Sequence, residues 1–271
     1  MKSLKRIPLE GAANVRDLGG IPLNGGWMTR WGLLLRSDTL AFLTEADWDT
    51  LLERNVRTLI DLRSDSEVAA LPIQVPQGIN YRRHALMQNL DGAFPNAAAA
   101  LESATPDAAA MDAVIKSMKL DYVRVLSDNM TDIAAILTSI LSGLVLGSVL
   151  FCCSSGKDLT GITAAVILYL AGASEADIAA DYTVSEIYNR HNSNRSLLSQ
   201  VPEHLLPRFA AHPEVLKELE RCFASKAETI ETLISYMKSA DIRSVLNRHG
   251  FSYSMQQQLA DLITDAVVDP E

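Results

Sequence analysis

Cysteines and runs of basic residues are scarce in this sequence, and each scarcity excludes a class of protein. Three cysteines in 271 residues are too few for a disulfide framework, so we expect a reducing compartment. No run of basic residues supplies the electrostatic footprint that nucleic acid or an anionic membrane requires, and 24 basic against 33 acidic residues leave a net charge of -9. We therefore expect no nucleic-acid partner.

Long apolar segments are also scarce. The charged start MKSLKRIPLE is followed by no apolar core, so the sequence predicts no signal peptide and a cytoplasmic protein, with export lacking a cleavable signal as the open alternative. Residues 133–155 carry no charge over more than the ~20 residues of a membrane span. Serines and glycines interrupt them, which indicates a helix over about 129–142, a turn and the buried strand VLFCC. We expect no transmembrane segment.

What is present is the composition of an ordinary globular protein, with 48% hydrophobic residues. Apolar runs at 33–37 and 56–62 predict strands, and the amphipathic segment 44–54 predicts a helix between them. Residues 161–170 are apolar on all sides, which predicts a buried helix. After Glu175 the pattern is almost wholly helical, including amphipathic spacing over 255–268. Together these segments predict a mixed α/β protein.

The chain offers no linker, so we expect one domain over residues 1–271. The alanine-rich segment 91–112 favours helix but is cut by Pro95 and Pro106, which predicts a small helical insertion or flap within that domain. Charge is also uneven: residues 1–90 hold 11 basic and 10 acidic side chains, and the remainder 13 and 23. Basic residues are therefore relatively concentrated in the first third.

The segment LFCCSSGKDLTG, residues 150–161, carries the chemistry. It places a strand, a cysteine, a Ser/Gly loop and a helix N-terminus in succession, and Gly156 permits the positive φ that turns backbone N–H groups into an anion site. The same field favours a thiolate, so we expect a lowered pKa for Cys153 and a nucleophilic role. Thr160 could donate a hydrogen bond to that sulfur, and Asp158 could protonate a leaving oxygen.

These residues resemble the phosphate-binding loop of the bacterial tyrosine phosphatases, a group that includes lipid and inositol phosphatases and has the pattern His-Cys-x-x-Gly-Lys-Asp-Arg-Thr-Gly. The segments ANVRDLGG (13–20), LRSDTL (35–40) and IDLRSDSE (60–67) resemble further motifs of the family in the same order, and the similarity runs from about residue 7 to 264. The resemblance implies a protein-tyrosine-phosphatase-like α/β fold: a central, mostly parallel sheet flanked by helices, with a helical C-terminal third.

The resemblance also implies roles for individual residues. Cys153 would form a cysteinyl-phosphate intermediate, Asp158 would be the acid, and Lys157 would steer the anionic substrate. The positions implied to bind phosphate are Ser154, Ser155, Gly156, Lys157, Leu159, Thr160 and Gly161. The supporting residues implied are Asp61, Arg16, Arg36 and Arg63, with Asp61 near the loop to orient it and the arginines holding loops together.

Two residues depart from the family pattern. Leu159 stands where the loop arginine is expected, and Cys152 replaces the preceding histidine. Leucine cannot bind two phosphate oxygens, so by analogy with other phosphoryl-transfer arginines the loss could reach about 10³ to 10⁵ in rate. Without that cation Cys153 should also be less ionised than in a complete loop.

Several functions remain open on these grounds. The first is a cysteine-dependent phosphatase acting on phosphotyrosine peptides or phosphoinositide headgroups with impaired catalysis. The second is a degenerate phosphatase, a pseudophosphatase that binds phosphorylated ligands without hydrolysing them. A redox pair of Cys152 and Cys153 is a third. Metal catalysis is the weakest reading because the five histidines lack motif spacing, and we expect neither metal nor cofactor. The sequence does not predict the oligomeric state.

Overall fold

Four parallel strands and one antiparallel edge strand form the main sheet. The computed structural model describes residues 5–86, 120–189 and 224–266. The strands are β1 (Arg16–Asp17), β2 (Pro22–Leu23), β3 (Trp27–Thr29), β4 (Leu34–Ser37), β5 (Val56–Asp61), β6 (Asn80–Arg83), β7 (Ser148–Cys152) and β8 (Thr264–Ala266). The helices are α1 (Glu45–Glu53), α2 (Asp65–Ala70), α3 (Tyr122–Asp128), α4 (Met130–Leu144), α5 (Asp158–Ala171), α6 (Glu175–Asn189), α7 (Ala227–Ser239), α8 (Ile242–Arg248) and α9 (Tyr253–Ile263).

The main sheet has the order β1-β4-β7-β5-β6, with β1 antiparallel to β4 and the other pairs parallel. Strand β7 is central and buried along its whole length, as an apolar run between two parallel neighbours should be. Its last residue, Cys152, pairs with Ser37 of β4 and Asp61 of β5. The carboxyl ends of three strands therefore meet where the Ser/Gly loop begins, which is where α/β sheets bind ligands.

Two apolar clusters cover the two faces of the sheet. The larger cluster packs α4, α5 and α7 against one face and includes Phe151 and Ile140. The smaller cluster packs Trp48 and Leu51 of α1 against the other. Helix α5 is buried nearly all round, which explains its uniformly apolar sequence. The mixed α/β fold with a mostly parallel sheet flanked by helices is thus confirmed.

The C-terminal region departs from the predicted pattern at one place. Helix α9 ends at Ile263, and residues 264–266 form β8, which pairs with β3 in a small sheet of order β2-β3-β8. The prediction of continuous helical structure over 255–268 is wrong here because Thr264 is extended, with φ -103° and ψ 138°, and β3 offers a strand edge. Elsewhere the described residues after Glu175 that lie in regular structure are helical.

The apolar segment 133–155 divides into α4, a turn and β7, as predicted. Among the described residues no helix combines the length and apolar character that crossing a bilayer needs. The predicted insertion at 91–112 lies outside the described residues, and the single-domain organisation stays a prediction.

Candidate active site

The candidate site is the loop of residues 153–157 between β7 and α5. Gly156 has φ +66°, and a Cβ placed on it would lie 2.5 Å from the backbone N of Asp38 and from the carbonyl carbon of Ser37. Both the conformation and the close approach to the end of β4 therefore require glycine. The 14-residue helix α5 begins directly after the loop, so its N-terminus faces the same space.

The carbonyl groups of this loop are held by donors from several other segments. These donors keep the carbonyl groups of Ser154, Ser155 and Gly156 on the outer side of the loop. The Thr39 N–H donates to Ser154 O at 3.1 Å; the Asn14 and Asn189 amides donate to Ser155 O at 3.1 and 3.0 Å; the Asn14 amide and Arg36 guanidinium donate to Gly156 O at 3.1 and 2.8 Å.

The amide hydrogens of the loop consequently point to the opposite side. Across a trans peptide the C=O of one residue and the N–H of the next are antiparallel, and no cis peptide occurs in the described residues. The N–H groups of Ser155 and Gly156 therefore face inward. The Lys157 N–H contacts the Ser155 hydroxyl at 3.3 Å. Such a concave row of N–H groups at a helix N-terminus suits an anion the size of phosphate.

Cys153 lies at the base of this loop with 5% of its surface exposed. Burial raises the pKa of its thiol, Thr160 lowers it through its side chain and backbone, and the carboxylates of Asp158 and Glu67 raise it. The expectation of a lowered pKa is therefore wrong: the effect of burial outweighs that of Thr160, and position 159 supplies no cation. Thr160 is fully buried, but within the described part of the chain its hydroxyl oxygen has no hydrogen-bond partner by distance and angle. The predicted hydrogen bond from Thr160 to the sulfur therefore stays a prediction.

Asp158 is the first residue of α5, at the rim of the loop. Its Oδ1 accepts a hydrogen bond of 2.5 Å from the Tyr122 hydroxyl and lies 3.3 Å from Lys157 Nζ, while its Oδ2 lies 3.5 Å from the Ser155 hydroxyl. Its charge acts on Cys153. A carboxyl group next to both a nucleophile and an anion site can exchange a proton with a leaving oxygen.

Arg16 and Arg36 lie behind the loop, fully buried around one carboxylate. Asp181 is 3.0 Å from Arg16 Nε and 2.6 Å from Arg36 Nη1. Burial and the neighbouring Arg16 lower the pKa of Arg36 to about 10. Although burial opposes ionisation, the two guanidinium groups hold the pKa of the Asp181 carboxyl well below its usual range. These arginines thus support the loop through Arg36, in line with the structural role that the resemblance implies.

Asp61 and Arg63 form a separate pair. The Asp61 carboxylate accepts from Arg63 at 2.7 and 2.9 Å and from the Tyr81 hydroxyl at 3.0 Å, and Arg63 also donates to Leu71 O. Asp61 ends β5 opposite Cys152, so it lies near the start of the loop as expected. Its carboxylate bonds fix Arg63 and the end of α2, and a role in orienting the loop stays a prediction. Arg63 agrees with its implied role as a residue that holds loops together.

Several residues that contact the loop were not singled out from the sequence. The Glu67 carboxylate accepts from the Ser154 hydroxyl at 2.5 Å and from the Ser64 N–H at 2.9 Å. Its signal was the capping box of Ser64 and Glu67 within IDLRSDSE. Asn14 also contacts the loop, and its signal was its place inside the motif ANVRDLGG. Tyr122 stands in no motif, and nothing in the sequence pointed to it.

The two positions that depart from the family pattern face away from each other. The Leu159 side chain is 7% exposed and belongs to the larger apolar cluster, whereas Cys152 belongs to the smaller cluster on the other face of the sheet. Both neighbouring thiols, Cys152 and Cys153, are free. Cys153 belongs to the larger cluster, so the two neighbouring thiols lie on opposite faces of the sheet, as successive strand residues do. This geometry disfavours the redox pair.

Gly161 allows close packing, since a Cβ there would lie 3.0 Å from the Tyr182 ring.

A mostly parallel sheet whose central strand leads through a cysteine and a Ser/Gly loop into a helix N-terminus defines an α/β protein with the protein-tyrosine-phosphatase-like fold. The sequence model of the tyrosine phosphatase family matches residues 7–265, and the chain belongs to that family.

Relatives from three bacteria carry corresponding names. The chain is 29% identical over 195 residues to a Cupriavidus necator protein named as an inferred tyrosine-protein phosphatase, covering 70% of this chain and 67% of the relative. It is 31% identical over 156 residues to a tyrosine-protein phosphatase of Nostoc commune, covering 57% and 48%. It is 30% identical over 228 residues to the triple specificity protein phosphatase PtpB of Mycobacterium tuberculosis, covering 77% and 78%.

Proposed function

We propose that this protein hydrolyses phosphate monoesters through a cysteinyl-phosphate intermediate on Cys153. The observation that carries the proposal is that the carbonyl groups of the loop after Cys153 are bonded on its outer side, which supports inward N–H groups at Ser155 and Gly156. The Asp158 carboxyl stands at the rim of the same loop. A phosphoryl group bound to those N–H groups has its phosphorus facing Cys153. Family membership supports phosphorylated substrates.

The proposed reaction has two steps. In the first, the Cys153 thiolate attacks phosphorus, the bond from phosphorus to the ester oxygen breaks, and protonated Asp158 gives its proton to the departing alcohol. In the second, water attacks the phosphorus, the Asp158 carboxylate accepts a proton from that water, and the P–S bond breaks to return the thiolate and release phosphate. The loop N–H groups and Lys157 balance the phosphoryl charge in both steps.

The substrates that we propose are phosphotyrosine peptides or phosphoinositide headgroups. The names of the relatives support the first class, and the triple specificity of the Mycobacterium tuberculosis relative supports a site that accepts more than one phosphoester. We propose a slow enzyme, because Leu159 supplies no bidentate donor for the transition state. The cytoplasmic location and the absence of nucleic-acid partners stay predictions.

One observation favours a second candidate, a protein that binds phosphorylated ligands without turnover. Arg16 and Arg36 both contact Asp181 and lie behind the loop, so neither guanidinium stands where the loop arginine would act. Lys157 is the remaining loop cation, and an ammonium group lacks the planar pair of donors that arginine offers. In this second candidate the loop binds the phosphoryl group but does not catalyse its hydrolysis.

Hydrolysis of p-nitrophenyl phosphate distinguishes the two candidates. We expect slow turnover that disappears in Cys153→Ser, together with a cysteinyl-phosphate adduct of 80 Da on Cys153 in acid-quenched samples by mass spectrometry. Turnover that survives in Cys153→Ser would contradict the enzyme proposal. Phosphate binding by calorimetry, with no turnover above buffer and no adduct, would establish the binding protein instead.

A further inference from the structure

Tyr122 is the group outside the loop that contacts the proposed acid most closely. Resting on the proposed function, we infer that Tyr122 is a positioning residue: it binds Oδ1 of Asp158 and thereby leaves Oδ2 to carry the proton that goes to the leaving oxygen. Neither the motifs of the sequence nor the names of the relatives assign a role to this tyrosine.

The geometry distinguishes the two oxygens of the Asp158 carboxyl. Oδ1 accepts from the Tyr122 hydroxyl at 2.5 Å and has Lys157 Nζ at 3.3 Å. A carboxyl oxygen with a hydroxyl donor and an ammonium beside it is disfavoured as the site of a proton. Oδ2 accepts from the Ser155 hydroxyl, but at 3.5 Å that bond is long and weak beside the 2.5 Å bond to Oδ1. The proton of the neutral acid therefore sits on Oδ2, the oxygen next to the loop residue Ser155.

Tyr182 fixes the direction of the Tyr122 hydroxyl. The two hydroxyl oxygens are 2.7 Å apart, and the rings meet edge to face with centroids 5.9 Å apart. A hydroxyl has one hydrogen, and that of Tyr122 is used toward Asp158, so Tyr182 donates to Tyr122. The exposed fractions of the two tyrosines are 5% and 2%, so water does not compete for these bonds.

Burial and the charged groups near the two tyrosines keep both hydroxyl groups protonated. Burial and the nearby Asp158 carboxylate raise the pKa of Tyr122 and of Tyr182. Glu186 on α6 also raises the pKa of Tyr182, and Arg36 lowers it. Around Asp158 itself the facing groups are Tyr122, Tyr182, Lys157 and Cys153. Tyr122 thus stays a hydrogen-bond donor throughout the working pH range.

Leaving-group dependence tests the inference. p-Nitrophenolate leaves with little help from an acid, whereas the alkoxide of an alkyl phosphate needs a proton. We expect Tyr122→Phe to lower kcat for an alkyl phosphate roughly tenfold more than kcat for p-nitrophenyl phosphate, part of the ~10²–10⁴ that an acid contributes. Tyr182→Phe, which keeps the bond from Tyr122 to Asp158, should have a smaller effect. Tyr236→Phe, a partly buried tyrosine on α7, is the control.

Equal loss on both substrates would mean that Tyr122 merely supports the fold, and would overturn the inference. Both assays are run in the chain as it stands and in a Leu159→Arg background. If neither background turns over, the proposed function fails, and crystal structures of the variants still decide the positioning role. An Asp158 carboxylate that rotates in Tyr122→Phe but keeps its place in Tyr236→Phe supports it; an unchanged carboxylate in both overturns it.

Discussion

The Arg36 guanidinium joins a buried ion pair to the candidate active site, because one terminal nitrogen lies 2.6 Å from Asp181 Oδ2 and the other donates to the Gly156 carbonyl at 2.8 Å. Arg16 contacts the same carboxylate. One carboxylate therefore pairs with two buried guanidinium groups, and the loop depends on that shared contact. Burying a charge is costly unless it is paired, so removing the shared Asp181 carboxylate would leave both arginines buried without a counter-ion.

Asp181→Asn should be among the most destabilising single substitutions. It leaves two buried arginines without their counter-ion, and we expect the free energy of unfolding to fall by about 3–5 kcal/mol. Because the pKa of Asp181 is below its usual range, its contribution is present above about pH 4 and is lost as the pH falls through and below that value. Urea unfolding at several pH values measures both effects. Asp49→Asn, at an exposed position on α1, is the control, and equal losses in the two variants would refute the argument.

Gly156→Ala should abolish phosphate binding. Gly156 and Gly32 have similar positive φ values, 66° and 74°, but an added Cβ meets the backbone of β4 at Gly156 and open space at Gly32. We expect Gly32→Ala to cost about 1 kcal/mol and to leave phosphate affinity unchanged. Calorimetric titration with phosphate separates the backbone strain common to both from the clash that only Gly156 experiences. Phosphate binding retained in Gly156→Ala would show that the loop is not the anion site.

Leu159→Arg should raise turnover and lower stability together. A restored guanidinium could bind two phosphoryl oxygens, and by analogy with other phosphoryl-transfer arginines the gain in kcat could approach ~10³. Removing the leucine from the larger apolar cluster should cost about 1.5–3 kcal/mol of unfolding free energy. Leu146→Arg adds the same charge at an exposed position and should change neither quantity. A kcat that stays at the level of the parent protein would mean that more than the arginine is missing from the site.

The parts of the site that could be predicted from the sequence are those in which neighbouring residues meet. Cys153, Gly156 and Thr160 lie within one strand-loop-helix segment, and local backbone geometry alone brings them together. The mostly parallel sheet followed from apolar runs together with the family resemblance, whereas the order of its strands was not predicted. The carboxylate partners of Asp61, Arg63 and Tyr81, could not be predicted, because they depend on the packing of α2 and β6, which no motif specifies.

Contacts between distant residues were beyond sequence reasoning. Tyr122 and Asp158 are 36 positions apart, and their hydrogen bond depends on how α3 packs beside α5. The pairing of β8 with β3 joins residues more than 230 positions apart and replaces a helical pattern that was locally consistent. The pKa of Cys153 likewise depends on its burial, which the sequence does not show. The electrostatic field of the loop and the helix N-terminus, which could be inferred from the sequence, predicted a lowered pKa, whereas burial raises it.

Alkylation of Cys153 should therefore accelerate at a higher pH than in a protein with an activated cysteine. Burial raises the pKa of its thiol above its ordinary value, so the reactive thiolate accumulates only at more alkaline pH than for an exposed cysteine. The Asp158 carboxylate contributes to the rise, and Asp158→Asn should move the midpoint to lower pH. Asp49→Asn, which lies on the exposed side of α1, should not move it. The rate of iodoacetamide modification, followed by mass spectrometry that separates Cys153 from Cys152 by fragmentation, measures the midpoint. A midpoint near pH 6 in the parent protein would mean that the loop field outweighs desolvation and that the thiolate is already formed without a loop arginine.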